Sequence, residues 1–193
     1  IDAPKMFREM HEIDIENVLM NDADEVFWKC SGISVKNLKL HGGTYPFMLC
    51  RNLRINGLES DSKYIFQYVK DMELRNARIT TKDALWECEN VTVYDSELNG
   101  EYLGWHSRNL RLVNCRISGT QPLCYAENLT LENCIMDSSC DLAFEYSSVH
   151  ATINSPVRSI KNPRTGCIKS ESYGEIIIDG NIKAPADCRI ELL

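Results

Sequence analysis

Three consecutive segments between Ala84 and Met136 carry nearly the same sequence, and this repeat constrains the fold more than any other feature. The segments read ALWECENVTVYDSELNGEY, LGWHSRNLRLVNCRISGTQ and PLCYAENLTLENCIM. Asn90, Asn109 and Asn128 recur at one interval of 19 residues, and each precedes two alternating apolar residues. A fixed period of about 20 residues is typical of solenoids, in which each repeat buries its apolar face only against its neighbours.

The same register extends along most of the chain. Each marker position precedes a short alternating strand, which is the pattern of a half-buried β-strand. The predicted inward pairs are Ile13/Ile15, Ile33/Val35, Leu53/Ile55, Met72/Leu74, Val91/Val93, Leu110/Leu112 and Leu129/Leu131. Two residues beyond each pair lies a second column of turn-forming residues: Asn17, Asn37, Gly57, Asn76, Asp95, Asn114 and Asn133. Asn, Asp and Gly tolerate a left-handed backbone, so this column predicts a corner in every coil.

A second strand, a polar corner and a third, aromatic-rich strand complete each repeat. Three short strands and three corners in 19 to 20 residues describe a triangular coil. No 3.6-residue periodicity is present, which argues against leucine-rich and helical repeats. The predicted fold class is therefore all-β, a single-stranded parallel β-helix with stacked 19–20-residue coils.

The repeat is regular over residues 1–153 and decays afterwards. The first residues already fit the pattern partway round a coil, so further coils or a cap are predicted to precede Ile1. Residues 154–193 contain short β-like runs separated by turns. They are predicted to form distorted last coils or a C-terminal β cap of the same domain.

Composition limits the partners that this chain can have. Its 193 residues carry a net charge of −7, with 44% apolar and 25% charged residues. Such a composition is typical of one globular domain. An acidic chain without a basic stripe is not expected to bind nucleic acid. No apolar run reaches the roughly 20 residues that a bilayer span needs, so no membrane partner is predicted.

The nine cysteines follow the repeat. Cys30, Cys50 and Cys88 share one column, and Cys115 and Cys134 share another, and both columns otherwise hold mostly apolar residues such as Val, Ala, Leu or Met. Free cysteine behaves as a small buried hydrophobe, so we expect reduced thiols in the core and a cytoplasmic setting. Disulfides between neighbouring coils remain the alternative if the protein is exported. No cysteine or histidine spacing indicates zinc, and neither a metal nor a cofactor is predicted.

Several stretches resemble one known family. They are APKMFREM, ENVTVYDSELNGEYLGWHSRNLRLVNCRISGTQPLCYAENLTLENC and AFEYSSVHATINSPVRSIKNPRTG. They are similar to a bacterial family catalogued as domain of unknown function 3737, and the resemblance covers essentially the whole chain. It implies a right-handed parallel β-helix of pectate-lyase-like architecture and a longer N-terminus. It implies no activity and supplies no catalytic residues.

One outward column gives the best candidate site. The third strand is predicted to expose Lys29, Leu49, Tyr68, Glu87, His106, Tyr125 and Glu145 in successive coils. The last four would span about 15 Å at the spacing of stacked strands. A carboxylate beside His106 could form an acid/base pair, so Glu87, His106 and Glu145 are the candidate catalytic residues. The alternative is that an outward column is simply polar.

Further candidate ligand-binding residues surround that column. Tyr68 and Tyr125 offer flat stacking surfaces. Arg108 and Arg111, on outward positions of one coil, could meet an anionic group. Trp86 and Trp105 lie one coil apart and would form a sugar platform if exposed, or core packing if buried. These residues predict a saccharide or a small polar ligand.

The row of Phe7, Phe27, Phe47 and Phe66 has the opposite parity to the tryptophans. Strict alternation cannot bury both rows, so the sequence predicts either a β-bulge or one exposed aromatic row. An exposed row would suit a homo-oligomer interface.

Three functions therefore stay open at this point. The first is non-catalytic binding of a carbohydrate or another polar ligand. The second is a carbohydrate-active lyase or hydrolase that uses a Glu/His pair. The third is a structural scaffold that self-associates. The clustered aspartates of pectin-cleaving enzymes are absent from the sequence, which counts against a standard enzyme of that class.

Overall fold

The chain folds into a stack of parallel β-strands. The computed structural model describes residues 1–180 and 187–193, and its strands are β1 (His11–Asn21), β2 (Ser31–His41), β3 (Arg51–Ser60), β4 (Lys70–Lys82), β5 (Glu89–Tyr94), β6 (Glu97–Glu101), β7 (Arg108–Val113), β8 (Arg116–Ser118), β9 (Leu129–Met136), β10 (Ser148–Ile153), β11 (Val157–Lys161), β12 (Thr165–Ser170), β13 (Tyr173–Ile177) and β14 (Asp187–Leu192). Across these two ranges, no helix is long and apolar enough to cross a membrane.

Strand order follows chain order, as a solenoid requires. One large sheet runs β1-β2-β3-β4-β5-β7-β9-β10-β12-β14, while β6 and β8 connect β4 to β9 along a second side. All of these pairs are parallel, and the partners lie one repeat apart: Ile13 pairs with Ile33, and Val91 pairs with Leu110. The structure therefore confirms the predicted all-β parallel solenoid and its 19–20-residue coils.

In β1 to β4 and in β9 the first two sides of a coil are one bent strand, whereas β5 and β6, and likewise β7 and β8, are two separate strands. The residues in both marker columns have positive φ, for example 54° at Asn17 and 54° at Asn109. All seven predicted inward pairs of the first side are buried. Side-chain amides form ladders at the corners, where Asn109 Nδ2 donates to Asn90 Oδ1 at 2.8 Å and Asn128 Nδ2 donates to Asn109 Oδ1 at 2.8 Å. The left-handed corners and the apolar core were both correctly predicted.

The third side differs from the prediction, because it is a run of turns instead of a strand. Residues of positive φ alternate along it, such as Phe27 at 58° and Lys29 at 53°. The N–H of Phe27 donates to Met6 in the preceding coil, and the N–H of Lys29 donates to Met48 in the following coil. The left-handed residues break the strict in–out alternation of a strand.

This geometry resolves the conflict between the two aromatic rows. Phe27, Phe47 and Phe66 have no exposed surface, whereas Trp86 and Trp105 are half-buried. The phenylalanine rings stack coil on coil, with centroids 4.6 Å apart for Phe27 and Phe47. The tryptophan row faces outward and is partly exposed, which is the second of the two outcomes expected from the sequence. The buried Phe row cannot form an interface between copies. Self-association of this protein remains a prediction, but the Phe row does not provide the surface for it.

The last part of the chain continues the stack. β12 pairs with β10 and β14, and β11 pairs with β13 in a separate two-stranded sheet. The β-like runs predicted there are strands. Residues 181–186, which belong to the segment predicted to form distorted last coils or a cap, lie outside the described residues.

The cysteines fill the core as expected. All nine are free thiols, eight are buried, and Cys188 is half-buried. Burial raises the pKa of Cys50 and of Cys124 to about 12, and that of Cys188 to about 11. A thiol must lose its proton to act as a nucleophile, so the buried thiols of Cys50 and Cys124 are expected to react slowly in the folded protein, whereas Cys188 is partly accessible.

This slow reaction can be measured. Native protein treated with a thiol reagent at mildly alkaline pH is expected to label rapidly at Cys188 at most, and protein unfolded in urea at all nine cysteines. The variant Cys188→Ser should show no rapid native labelling. Rapid modification of two or more thiols in the native state would contradict the buried-core assignment.

Candidate functional site

The outward surface of the third side carries a contiguous group of rings. This aromatic face consists of Trp86, Tyr102, Trp105, His106, Tyr125 and Tyr146. Neighbouring coils bring the rings into contact, with centroids 5.4 Å apart for Trp86 and Trp105 and 5.1 Å apart for Trp105 and Tyr125. Tyr125 stacks on His106 at 4.9 Å with an interplanar angle of 16°. Such distances are those of favourable aromatic pairs.

Hydrogen bonding fixes the centre of the face. The indole Nε1 of Trp105 donates to the backbone carbonyl of Gln121 at 2.6 Å. Gly104 precedes it with φ of 66°, and a Cβ there would lie 2.9 Å from methyl groups of Leu110 and Leu123. Glycine therefore lets this coil place Trp105 outward without disturbing the core.

A charged groove borders the aromatic face. It encloses about 310 Å³ and is lined by Glu87, His106, Arg108, Tyr125 and Glu127. Arg108 Nε donates to Glu127 Oε2 at 3.1 Å, so the two opposite charges are paired at the surface. An adjoining groove of about 340 Å³ shares three of these residues and extends the surface to Tyr68 and Leu49. The groove therefore runs across several consecutive coils.

The structure brings together most of the predicted site residues. Tyr68, Glu87, His106 and Tyr125 line the groove in four consecutive coils, as the column predicted. In the part of the chain that the structure describes, however, no hydrogen bond or ion pair joins Glu87 to His106. Trp86 and Trp105 lie beside the column and are half-buried. They are neither fully exposed as a sugar platform nor fully buried as core packing, the two alternatives that the sequence left open.

Glu145 does not occupy its expected position. The coil from Tyr125 is longer than its neighbours, and Tyr146 takes the next place in the column, with its ring 5.6 Å from that of Tyr125. The longer coil puts Phe144 into the core row, which displaces Glu145 by one residue. Glu145 is buried instead, and its Oε1 binds Lys161 Nζ at 2.8 Å.

Arg111 also lies apart from the groove. Its guanidinium binds Glu132 with two hydrogen bonds of 2.9 and 2.8 Å on the first side of the coil. This pairing lowers the pKa of the Glu132 carboxyl. Arg108 and Arg111 therefore do not form a joint anion site, because each is already paired with a different glutamate.

Three residues of the site were missed: Tyr102, Glu127 and Tyr146. Tyr102 lies before the predicted column and joins the aromatic face through its contact with the Trp105 ring at 4.8 Å. Glu127 follows Arg108 by 19 residues, so the repeat register alone could have placed it in the groove. Tyr146 could be placed only once the longer coil was known, and no local sequence pattern indicates the length of that coil.

Three larger surface grooves follow the corners, with volumes of about 520, 640 and 400 Å³. They are lined largely by corner asparagines and by charged residues that pair between coils, such as Lys39 with Glu59 at 2.8 Å. In the 520 Å³ groove the charged side chains pair with one another, as Arg78 also does with Glu97 at 3.0 Å, so this groove offers few free charges to a ligand. In residues 1–180 and 187–193, no three His, Cys, Asp or Glu side chains are arranged to hold a metal.

Comparison with known proteins gives one match. The family model described as "Protein of unknown function (DUF3737)" covers residues 1–191. No curated protein and no solved structure matches the chain.

Proposed function

The chain belongs to the DUF3737 family, whose description names no activity, and we propose from the site alone that the protein binds a carbohydrate along the aromatic face. The carrying observation is the contact between Trp86, Trp105, His106 and Tyr125 across consecutive coils beside a polar groove.

Carbohydrates present both apolar C–H faces and hydroxyl groups. Half-buried tryptophan and tyrosine rings offer a rigid apolar body with a polar tip. The carboxylates of Glu87 and Glu127 accept hydrogen bonds, and the Arg108 guanidinium donates them. An apolar surface with a few convergent polar groups is the usual composition of a ligand site. From Tyr68 to Tyr125 the groove spans three coil steps, or about 14 Å, which suits a short saccharide.

Binding without catalysis is favoured over an enzyme. Of the three candidate catalytic residues, Glu145 is buried in an ion pair with Lys161. Glu87 and His106 remain exposed in the groove without the mutual hydrogen bond of an acid/base pair. The carbohydrate-active alternative therefore has only these two residues to rest on.

A glycan array with purified protein tests the proposal. The variant His106→Ala removes the exposed ring that stacks on Tyr125, and we expect roughly tenfold weaker binding of any retained glycan. The matched control is His41→Ala, which removes a histidine on a different corner and should leave binding unchanged. Absence of any retained glycan, or equal affinity of His106→Ala and the unmodified protein, would refute the proposal.

A further inference from the structure

The groove beside the aromatic face carries an excess of negative charge. Its lining contains three carboxylates, from Glu87, Glu89 and Glu127, and two permanent cations, Lys70 and Arg108. Three negative charges against two positive ones leave one carboxylate uncompensated. The position of that carboxylate indicates which class of sugar the groove would favour.

Four of these five charges pair along one outward column. Strand register gives equivalent positions in consecutive coils to Lys70, Glu89, Arg108 and Glu127. Lys70 Nζ lies 2.8 Å from Glu89 Oε2, and Arg108 Nε lies 3.1 Å from Glu127 Oε2. The column is therefore neutral, and a ligand meets two ion pairs there instead of free charges.

Glu87 is the carboxylate without a partner. It is exposed, and within the two described ranges its side chain forms no hydrogen bond or ion pair. The backbone fixes its direction, because φ is 50° and its N–H donates to the carbonyl of Trp105 at 2.8 Å, as the N–H of Tyr68 donates to that of Trp86. Glu87 therefore lies between Tyr68 and His106 in the outward column, and it lines both parts of the groove.

A free carboxylate beside aromatic rings favours a positively charged group. Opposite charges attract at short range, whereas a carboxylate on the ligand would be repelled. The ring of Trp86, which precedes Glu87 in the chain, lies 5.6 Å from the ring of His106, and aromatic faces also attract cations. The two cations of the groove oppose such a ligand only weakly, because each is paired with its own glutamate.

We propose that the ligand of the groove is an amino sugar, whose protonated amine pairs with Glu87 while its ring contacts the aromatic face. This inference rests on the proposed carbohydrate binding and assigns a chemical class to the ligand. It also predicts discrimination against uronic acids, because their carboxylate would meet that of Glu87.

Three oligosaccharides of equal length test the assignment by titration calorimetry at slightly acidic pH, where a sugar amine is protonated. They are the trimers of glucosamine, of N-acetylglucosamine and of galacturonic acid. An exposed charge pair changes affinity by up to about fivefold. The glucosamine trimer should therefore bind about fivefold more tightly than the neutral N-acetylglucosamine trimer, and the galacturonic acid trimer should bind most weakly.

Two variants of Glu87 locate the effect. Glu87→Gln keeps the length of the side chain but removes its charge, so the preference for the glucosamine trimer should disappear. Glu87→Lys should reverse the preference, and lysine already occupies this column at Lys29 with φ of 53°, so the backbone accepts it. The matched control is Glu171→Gln, which removes one negative charge from the exposed turn between β12 and β13 and should keep the preference.

Several results would overturn the assignment. They are equal affinity of the unmodified protein for the glucosamine and N-acetylglucosamine trimers, tightest binding of the galacturonic acid trimer, a preference that survives in Glu87→Gln, and a preference that Glu171→Gln also removes. Binding of none of the three trimers would likewise overturn it. In each case carbohydrate binding itself still stands if the glycan array retains a ligand that His106→Ala weakens, and an empty array refutes both.

Discussion

Replacing Phe47 with alanine is expected to destabilise the protein by about 3–5 kcal/mol, the usual cost of removing a buried aromatic side chain. Phe47 has no exposed surface and lies between Phe27 and Phe66, with ring centroids 4.6 and 5.0 Å away. Its removal opens a cavity that the rigid backbones of two neighbouring coils cannot close. Urea denaturation measures the effect as a lower midpoint at an unchanged slope.

The matched control is Phe47→Leu. Leucine already occupies this row at Leu85 and Leu123 with φ of 59° and 63°, so the backbone accepts it. The remaining change is a partial loss of volume, and we expect it to cost about 1–1.5 kcal/mol. Equal stability of Phe47→Ala and Phe47→Leu would show that the Phe row does not hold the coils together.

Replacing Glu145 with alanine is expected to cost about 2–4 kcal/mol, near the lower end for a buried ion pair because Lys161 reaches solvent. The Glu145 and Lys161 side chains are 10% and 26% exposed and lie 2.8 Å apart. The hydrogen bond to Glu145 raises the pKa of Lys161. In the alanine variant the lysine loses this partner, and a space is left beside it. Thermal or urea unfolding of the variant measures the loss.

Glu145→Gln distinguishes a structural role from a catalytic one. Glutamine keeps the shape and can still accept a hydrogen bond from Lys161, so it should cost less than alanine. Because the Glu145 side chain does not line the groove and is paired with Lys161, Glu145→Gln should leave glycan binding unchanged. If Glu145→Gln lost much of its glycan binding while keeping the stability of the unmodified protein, Glu145 would have to be part of the binding site.

Most of the fold could be predicted from the sequence, because a solenoid repeats its signals. The marker asparagines at a spacing of 19 residues fixed the corners, and the alternating pairs after them identified the core. The third side could not be predicted in the same way. Residues such as Phe27 and Leu49 have no intrinsic preference for positive φ, so only contacts with neighbouring coils place them there. The sequence therefore indicated a strand where the chain forms turns.

The same limit applies to the site. Glu87, His106 and Tyr125 were found because they keep the strict register of the repeat. Glu145 was misplaced because its coil is longer than the others, and a shift of one residue turns an outward side chain into a buried one.

The left-handed turns of the third side have a consequence for how such a surface could change. Along the third side, side chains that point into the core alternate with side chains that point to solvent within a few residues. A whole 19-residue coil could therefore be exchanged or duplicated as a cassette, and the core row and amide ladders would still match at both joints. The outward residues of that coil would arrive as a block, lengthening the binding surface by one step of about 4.8 Å. The proposed binding surface is thus composed coil by coil, and a chimera that swaps two coils should exchange their outward residues while preserving the stack.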